Sequence, residues 1–262
     1  MKPCIIINNL CFNDKIITKN SQNEIIINIP SSINEIDRFK CNYCDTLFSI
    51  TIPTSVSKIG WSAFNGCTKL SSISIPTSVN EISWNAFYCC YNLSSITIPI
   101  SVTYIDDRAF SCCSNLTSII IPTSISEIHR DIFTGCSNLS SITIPDSVTK
   151  IGYGAFGDCS NLSSITIPTS VSKISGEVFH SCSNLSSIII PTSITKIGRC
   201  AFSNCSKLSS ITIPDSVTKI SQYAFENCIR LTSVIMSSSV KYDNTVFENC
   251  PNLKSITPIT EN

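Results

Sequence analysis

Sixteen cysteines stand among 262 residues. Thiolates attack carbonyl carbons, hold soft metals and close disulfides, so their placement decides which function classes stay open. Ten of them, Cys44, Cys67, Cys90, Cys113, Cys136, Cys159, Cys182, Cys205, Cys228 and Cys250, recur every 23 residues, with one residue missing before the last. A thiol that repeats in step with phenylalanine and leucine reads as a small buried hydrophobe. Cys89 and Cys112 lie outside that series, one interval apart. In a chain coiled with this period they are neighbours, so a disulfide between them stays open beside two free thiols. The stretch Cys41-Asn42-Tyr43-Cys44 imitates half a zinc site, yet no second C-x-x-C accompanies it and Cys44 belongs to the repeating series. The two histidines, His129 and His180, occupy different positions in repeats that are two apart. No glycine-rich phosphate loop, nucleophile elbow or metal-spaced His/Asp/Glu cluster is visible. The expectation is therefore no enzyme: no catalytic residue, no metal and no cofactor.

Other series carry surface chemistry. Five residues after successive prolines the chain reads Glu35, Lys58, Glu81, Tyr104, Glu127, Lys150, Lys173, Lys196 and Lys219. Lys150, Lys173, Lys196 and Lys219 make a cationic ladder suited to a sulfated or phosphorylated polymer; the plainer reading is a solvated edge. Eight residues after the prolines stand Trp61, Trp84, Asp107, Arg130, Tyr153, Gly176, Arg199 and Gln222. Variation against a fixed frame is where a repeat protein holds specificity, and aromatic and arginine side chains are the usual interface anchors, which makes Trp61, Trp84, Arg130, Tyr153 and Arg199 the candidate partner-binding residues. The alternative is an exposed turn that drifts freely. A third series, Ser71, Ser94, Thr117, Ser140, Ser163, Ser186 and Ser209, is followed by serines and then by Thr97, Thr143, Thr166 and Thr212. It forms an uncharged hydroxyl face, either solubilising or weakly multivalent, and Ile120, Ile189 and Ile235 break the lattice that ordering water would require. Ser32, Ser55, Ser78, Ser101, Ser124, Ser147, Ser170, Ser193 and Ser216, two residues after each proline, with Ser239 at the matching place after Ser237, are expected to bond turn backbone. Asn-x-Ser/Thr sequons at Asn92, Asn115, Asn138, Asn161, Asn184 and Asn204 follow from the repeated wording and carry little weight.

What positions these side chains is a period. Pro30, Pro53, Pro76, Pro99, Pro122, Pro145, Pro168, Pro191 and Pro214 are spaced 23 residues apart without a slip. Such a period belongs to a solenoid, one supersecondary unit stacked on copies of itself. In the repeat that starts at Pro145, Leu162-x-x-Ile165-x-Ile167 alternates as a strand with one buried face, and the next proline ends it for want of an N–H. Ala155, Phe156, Cys159 and Leu162 recur at intervals that predict about one turn of α-helix or 3₁₀-helix on the opposite side. The stretch around Val148 and Ile151 reads as either strand or extended turn. A single coil exposes both flat faces of its core layer, so only the stacked array is stable, and its ends need caps.

Those ends show as decay. Ile27 and Ile29 hold strand register, but Phe39 and Cys41 are misplaced and residues 1–24 match faintly; Ser237 replaces proline, one residue is missing between Val240 and Phe247, and register resumes at Cys250, Leu253 and Ile256. The expected organisation is a cap or degenerate repeat over 1–29, nine repeats over 30–236 and a degenerate repeat or cap over 237–262. Charge balances at 18 basic against 18 acidic residues, so no global field favours nucleic acid or an anionic membrane. No apolar stretch reaches the roughly 18 residues of a spanning helix, and neither a secretory signal nor a lipid-anchor signal is visible, so membrane insertion is not expected and the plain location is cytoplasmic.

The composite Ile-Pro-x-Ser-Val-x-x-Ile-Gly-x-x-Ala-Phe-x-x-Cys-x-x-Leu-x-Ser-Ile-x-Ile resembles the BspA-type leucine-rich repeat, over about four fifths of the chain. The resemblance implies a single elongated right-handed leucine-rich-repeat solenoid, with a parallel β-sheet on one face and short helical turns or short strands on the other. It also implies a non-enzymatic role, binding a protein or glycan as the surface adhesins of that family do, which would place the chain at a cell surface. A cytosolic scaffold, compatible with many reduced thiols, is the alternative. The chain is expected to be a monomer.

Overall fold

The computed structural model describes residues 5–7, 10–12, 17–19, 25–36, 40–41 and 47–258. They build a parallel β-solenoid of about 10 turns. A first strand forms where the Ser-Ile-Thr alternation predicts one towards both ends of the stack: Ser72–Ser74, Ser95–Thr97, Ser210–Thr212 and Ser233–Ile235. Neighbours pair in parallel with every residue opposite its repeat mate, as Ser95↔Ser72, Ile96↔Ile73 and Thr97↔Ser74. Through the middle coils the same ladder narrows to single bridges, Thr97↔Ile120, Ile120↔Thr143 and Thr166↔Ile189. Proline then opens a turn, its carbonyl accepting from the residue three further on, as when Val148 N–H donates to Pro145 O at 3.0 Å.

The undecided stretch after that turn is a second strand of two residues: Glu81–Ile82, Tyr104–Ile105, Glu127–Ile128, Lys150–Ile151, Lys173–Ile174, Lys196–Ile197 and Lys219–Ile220. Short strands therefore form the other face. The turn of helix predicted between Ala155 and Leu162 is absent, and no helix occurs among the described residues. Amide donors there alternate between two destinations. Phe156 N–H and Asp158 N–H reach Val178 O (2.9 Å) and His180 O (2.7 Å) in the next coil, while Gly157, Cys159 and Leu162 close three-residue-back turns on Gly154, Phe156 and Cys159. A helix would spend every donor inside its own coil; stacking claims half of them.

The inward face matches the pattern read along the chain: Val148, Ile151, Ala155, Phe156, Cys159, Leu162, Ile165 and Ile167 are all buried. Phenylalanine rings form a continuous stack from Phe64 to Phe247, with Phe156 centred 5.7 Å from Phe133 and 5.8 Å from Phe179. The cysteine series from Cys67 to Cys228 is buried as free thiol, and Cys250 is half-buried. From Cys90 to Cys250 each thiol meets a main-chain oxygen of the preceding coil; Cys159 Sγ lies 3.3 Å from Phe133 O. Cys89 and Cys112 are half-buried free thiols.

At the N-terminal end Ile17–Lys19 runs antiparallel to Ile25–Asn28, which in turn starts the parallel stack against Leu47–Thr51. Ile27 and Ile29 are buried there, whereas Phe39, Asn42, Tyr43 and Cys44, with the half zinc motif they include, lie outside the described residues. At the C-terminal end Ser255–Thr257 pairs with Ser233–Ile235 in register, and Cys250 and Leu253 pack on the core. No described helix is long and apolar enough to cross a membrane.

Candidate functional site

The two strand columns present different surfaces. On the first, hydroxyl side chains turn back to the backbone: Ser94 Oγ donates to Ser71 O at 3.2 Å and Thr232 Oγ1 to Ser209 O at 3.0 Å. The outermost hydroxyl series is interrupted by Ile120, 78% exposed, and Ile189, 83% exposed. Between Ser71 and Ile235, apart from exchanges of serine and threonine, coils on this face differ at these isoleucines and at Ile235. Serines two residues past the prolines take the structural role expected of them: Ser78 Oγ donates to Val56 O (2.6 Å) and Ser147 Oγ to Ile125 O (2.7 Å), each carbonyl belonging to the preceding coil. The sequon asparagines stack as an amide ladder, Asn115 Nδ2 donating to Asn92 Oδ1 (3.2 Å) and Asn161 Nδ2 to Asn138 Oδ1 (3.1 Å).

The second strand column carries the coil-to-coil variation. Its charged residues face one another in register, Lys58 beside Glu81, Glu127 beside Lys150, and Lys173 beside Lys196 beside Lys219. Lys58 Nζ is 3.1 Å from Glu81 and 3.8 Å from Glu35. Lys150 Nζ is 3.1 Å from Glu127, so this member of the expected ladder is neutralised. Lys173, Lys196 and Lys219 form no ion pair among the described residues. A bridge Lys219↔Lys241 extends the series at the other end, because the residue missing after Val240 brings Lys241 into register. The cationic ladder is thus Lys173, Lys196, Lys219 and Lys241.

Three residues beyond, the variable series lies on the same face and is organised in contacts. Trp61 and Trp84 stack with centroids 5.7 Å apart and planes at 23°, Trp61 remaining 39% exposed. The Arg130 guanidinium lies over the Tyr153 ring at 5.1 Å. A hydrogen bond with Glu177, then burial, push the Tyr153 phenol up to about 12. Arg199 stands apart from both pairs, beyond the coil of Gly176, and covers Tyr223 at 5.5 Å instead. Arg199, Lys219, Gln222, Lys241 and Tyr242 line one cavity of about 530 Å³, which joins the lysine ladder to the variable series.

Two features escaped the sequence reading. Tyr223 sits one place outside the variable series, so its pairing with Arg199 had no signal. Asp106, Asp107 and His129 come together although no local motif links them, because a 23-residue interval places Asp106 and His129 in adjacent coils at the same repeat position. His129 Nδ1 is 3.8 Å from Asp107 Oδ1, and the Tyr104 ring packs edge-on against the imidazole at 4.8 Å. Burial, then the Asp106 carboxylate, push the Tyr104 phenol up to about 12. His180 lies two coils further on, its Nδ1 buried without a hydrogen-bond partner.

Compared with known families, the chain matches the model of the BspA type leucine rich repeat region, in 6 copies, over residues 5–139 and 126–254. Among solved structures, a leucine rich repeat protein of T. pallidum is 29% identical, with 75% of this chain and 90% of that chain covered and a TM-score of 0.56. The pneumococcal vaccine antigen PcpA is 20% identical, with 88% and 74% covered and a TM-score of 0.57, a likeness of fold. A leucine rich cell surface protein from Faecalibacterium prausnitzii is 26% identical over 95% of each chain, with a TM-score of 0.48. No curated protein sequence matches.

Proposed function

The chain belongs to the BspA-type leucine-rich repeat family, and from that premise we propose that it is a non-enzymatic binding protein whose partner, a protein or a glycan, docks on the second-strand face. The observation that carries this reading is the segregation of variation. The first-strand face repeats hydroxyls coil after coil, while the second gathers the Trp61–Trp84 stack, the Arg130–Tyr153 and Arg199–Tyr223 pairs and the lysines from Lys173 to Lys241. Uniform stacking needs none of these side chains. Rigid aromatic rings and arginine are the residue types that dominate contact energies, and their mutual stacking holds them in place before a partner arrives. The lysines, spaced about 4.8 Å apart by strand pairing, suit the anionic groups of a sulfated or phosphorylated polymer. In an adhesin, such a surface would meet host matrix proteins and glycans.

The test uses an array of sulfated and neutral glycans with extracellular-matrix proteins. The wild-type chain should bind at least one member, and either Trp61→Ala with Trp84→Ala or Lys173, Lys196, Lys219 and Lys241→Gln should weaken that binding at least about tenfold, roughly 1.4 kcal/mol. A variant carrying Ser141→Ala, Ser164→Ala and Ser187→Ala on the hydroxyl face should bind as wild type. The reverse pattern would transfer the contact to the other face. A second reading, a cytosolic scaffold, draws on the free thiols of Cys89, Cys112 and Cys200. Protease shaving of intact cells separates the two, since an adhesin is released and a scaffold is protected until lysis.

A further inference from the structure

We propose that Asp106, Asp107 and His129 form a binding site for a divalent first-row transition cation of the zinc class, bridging two adjacent coils of the second-strand face. One candidate ligand atom from each residue lies within 4.8 Å of the others. Zinc held at about 2.0–2.2 Å by nitrogen and oxygen needs its ligands roughly 3–3.5 Å apart, a closure that rotation of these half-buried side chains supplies. One imidazole with two carboxylates favours a borderline cation over calcium, which takes oxygen alone, and over copper(I), which takes sulfur.

The local charge is arranged for a cation that the chain itself does not provide. Arg108 and Arg130 flank the two carboxylates, yet both turn to Asp131, their Nε atoms 3.1 Å and 3.2 Å from its Oδ2. Among the described residues no lysine or arginine pairs with Asp106 or Asp107. The two carboxylates are already oriented: Asp106 Oδ1 accepts from Tyr104 OH (3.1 Å) and from Asp107 N–H (2.8 Å), and Asp107 Oδ1 accepts from Arg130 N–H (2.9 Å). Carboxylate oxygens keep acceptor capacity beyond these bonds, Asp107 Oδ1 being 3.8 Å from His129 Nδ1, and outer partners of this kind orient metal ligands.

The repeat supplies a separate argument. The position of Asp106 and His129 is glycine or serine in six other described coils, at Gly60, Ser83, Gly152, Ser175, Gly198 and Ser221, and aspartate at Asp243 in the last coil. Crowding explains the glycines, since a Cβ on Gly152 would sit 2.7 Å from backbone atoms of Arg130 and His129, and one on Gly198 would sit 2.5 Å from Gly176 N. Among these larger side chains only Asp106 and His129 stand in adjacent coils, so only there do two metal-ligating groups at this position meet. A cavity of about 320 Å³, walled by Tyr104, Glu127 and His129, opens beside the imidazole and offers solvent access. Three protein ligands leave a coordination position for water. The inference stands apart from the proposed partner.

The test is a Zn²⁺ titration of the full chain after chelator treatment, followed through its imidazole NMR signals. With 2 histidines in the chain, His180→Gln assigns both signals. The His129 signal should move and saturate near one equivalent while that of His180 stays, and Asp106→Asn with Asp107→Asn should weaken this binding at least about tenfold. Tyr104→Phe should weaken it severalfold and leave the stoichiometry unchanged. Zinc captured by the half-buried thiols would leave His129 unmoved and overturn the proposal. An unaltered affinity at His129 in the double asparagine variant would overturn it as well, with an unshifted His180 signal showing that this variant is folded.

Discussion

Ser147 shows how a single side chain serves the stack. Its hydroxyl donates to the Ile125 carbonyl of the preceding coil at 2.7 Å, where the chain leaves the first sheet and ladder pairing has stopped. The same bond recurs from Ser55 to Ser216, so serine here is a coupler between coils. Ser147→Ala should cost about 1–3 kcal/mol, the range for stranding a largely buried acceptor, read as a lower urea midpoint. No measurable loss would mean that water replaces the hydroxyl. At the same scale, the cysteine thiols cap carbonyls from inside the core as the serines do from its edge, which gives the repeated cysteine a reason beyond its volume.

At the scale of the element, the turn segment is what the stack makes of a helix-like sequence. Apolar spacings of three and four place Ala155, Phe156, Cys159 and Leu162 inward whether the backbone is helical or not, so the pattern read the burial correctly and the backbone wrongly. Two residues per coil adopt left-handed φ, even Arg108 (56°), Glu177 (56°) and Tyr223 (60°), a conformation that costs L-residues about 1–2 kcal/mol. Inter-coil bonds such as Glu177 N–H to Arg199 O at 2.9 Å offset that strain. The phenylalanine stack runs through these segments. Phe156→Ala removes two ring contacts and opens a cavity in a fully buried layer, and should cost about 3–5 kcal/mol. A loss below about 1 kcal/mol would show that the neighbouring coils collapse onto the gap.

Across the whole molecule the buried thiol column ties stability to alkaline pH. Burial raises Cys113, Cys159 and Cys205 well above the ordinary thiol value and pushes Cys182 up to about 12. Their folded values exceed the unfolded one, so the folded chain keeps protons that the unfolded chain releases. That contribution is complete below about pH 8.5 and is lost as the pH rises towards the folded values, each thiol removing about 1.4 kcal/mol per pH unit in between. The urea midpoint should be flat from pH 6 to about pH 8 on this account and fall steeply above about pH 9. A midpoint unchanged at pH 10 would mean that the column ionises while folded. Cys250 at the last coil runs the other way, its thiol lowered by the neighbouring Cys228 thiol.

The period of 23 residues and the eight inward positions determined the solenoid, the first strand, the phenylalanine and cysteine columns and the role of the serines. Each of these follows from one coil repeated, because a repeated apolar face can be covered only by its own copy. Tertiary structure decided whatever depends on two different coils meeting. It gave the Val148–Ile151 region a strand partner and took from the turn segment the donors a helix needs. It cancelled Lys150 against Glu127, brought Lys241 into the ladder across a missing residue, and joined Arg199 to Tyr223. It also brought Asp106 and Asp107 to His129. The physical reason is common to all: the nearest neighbour of a surface residue lies one coil away, and only the stacked backbone sets which side chain stands there and which way it turns.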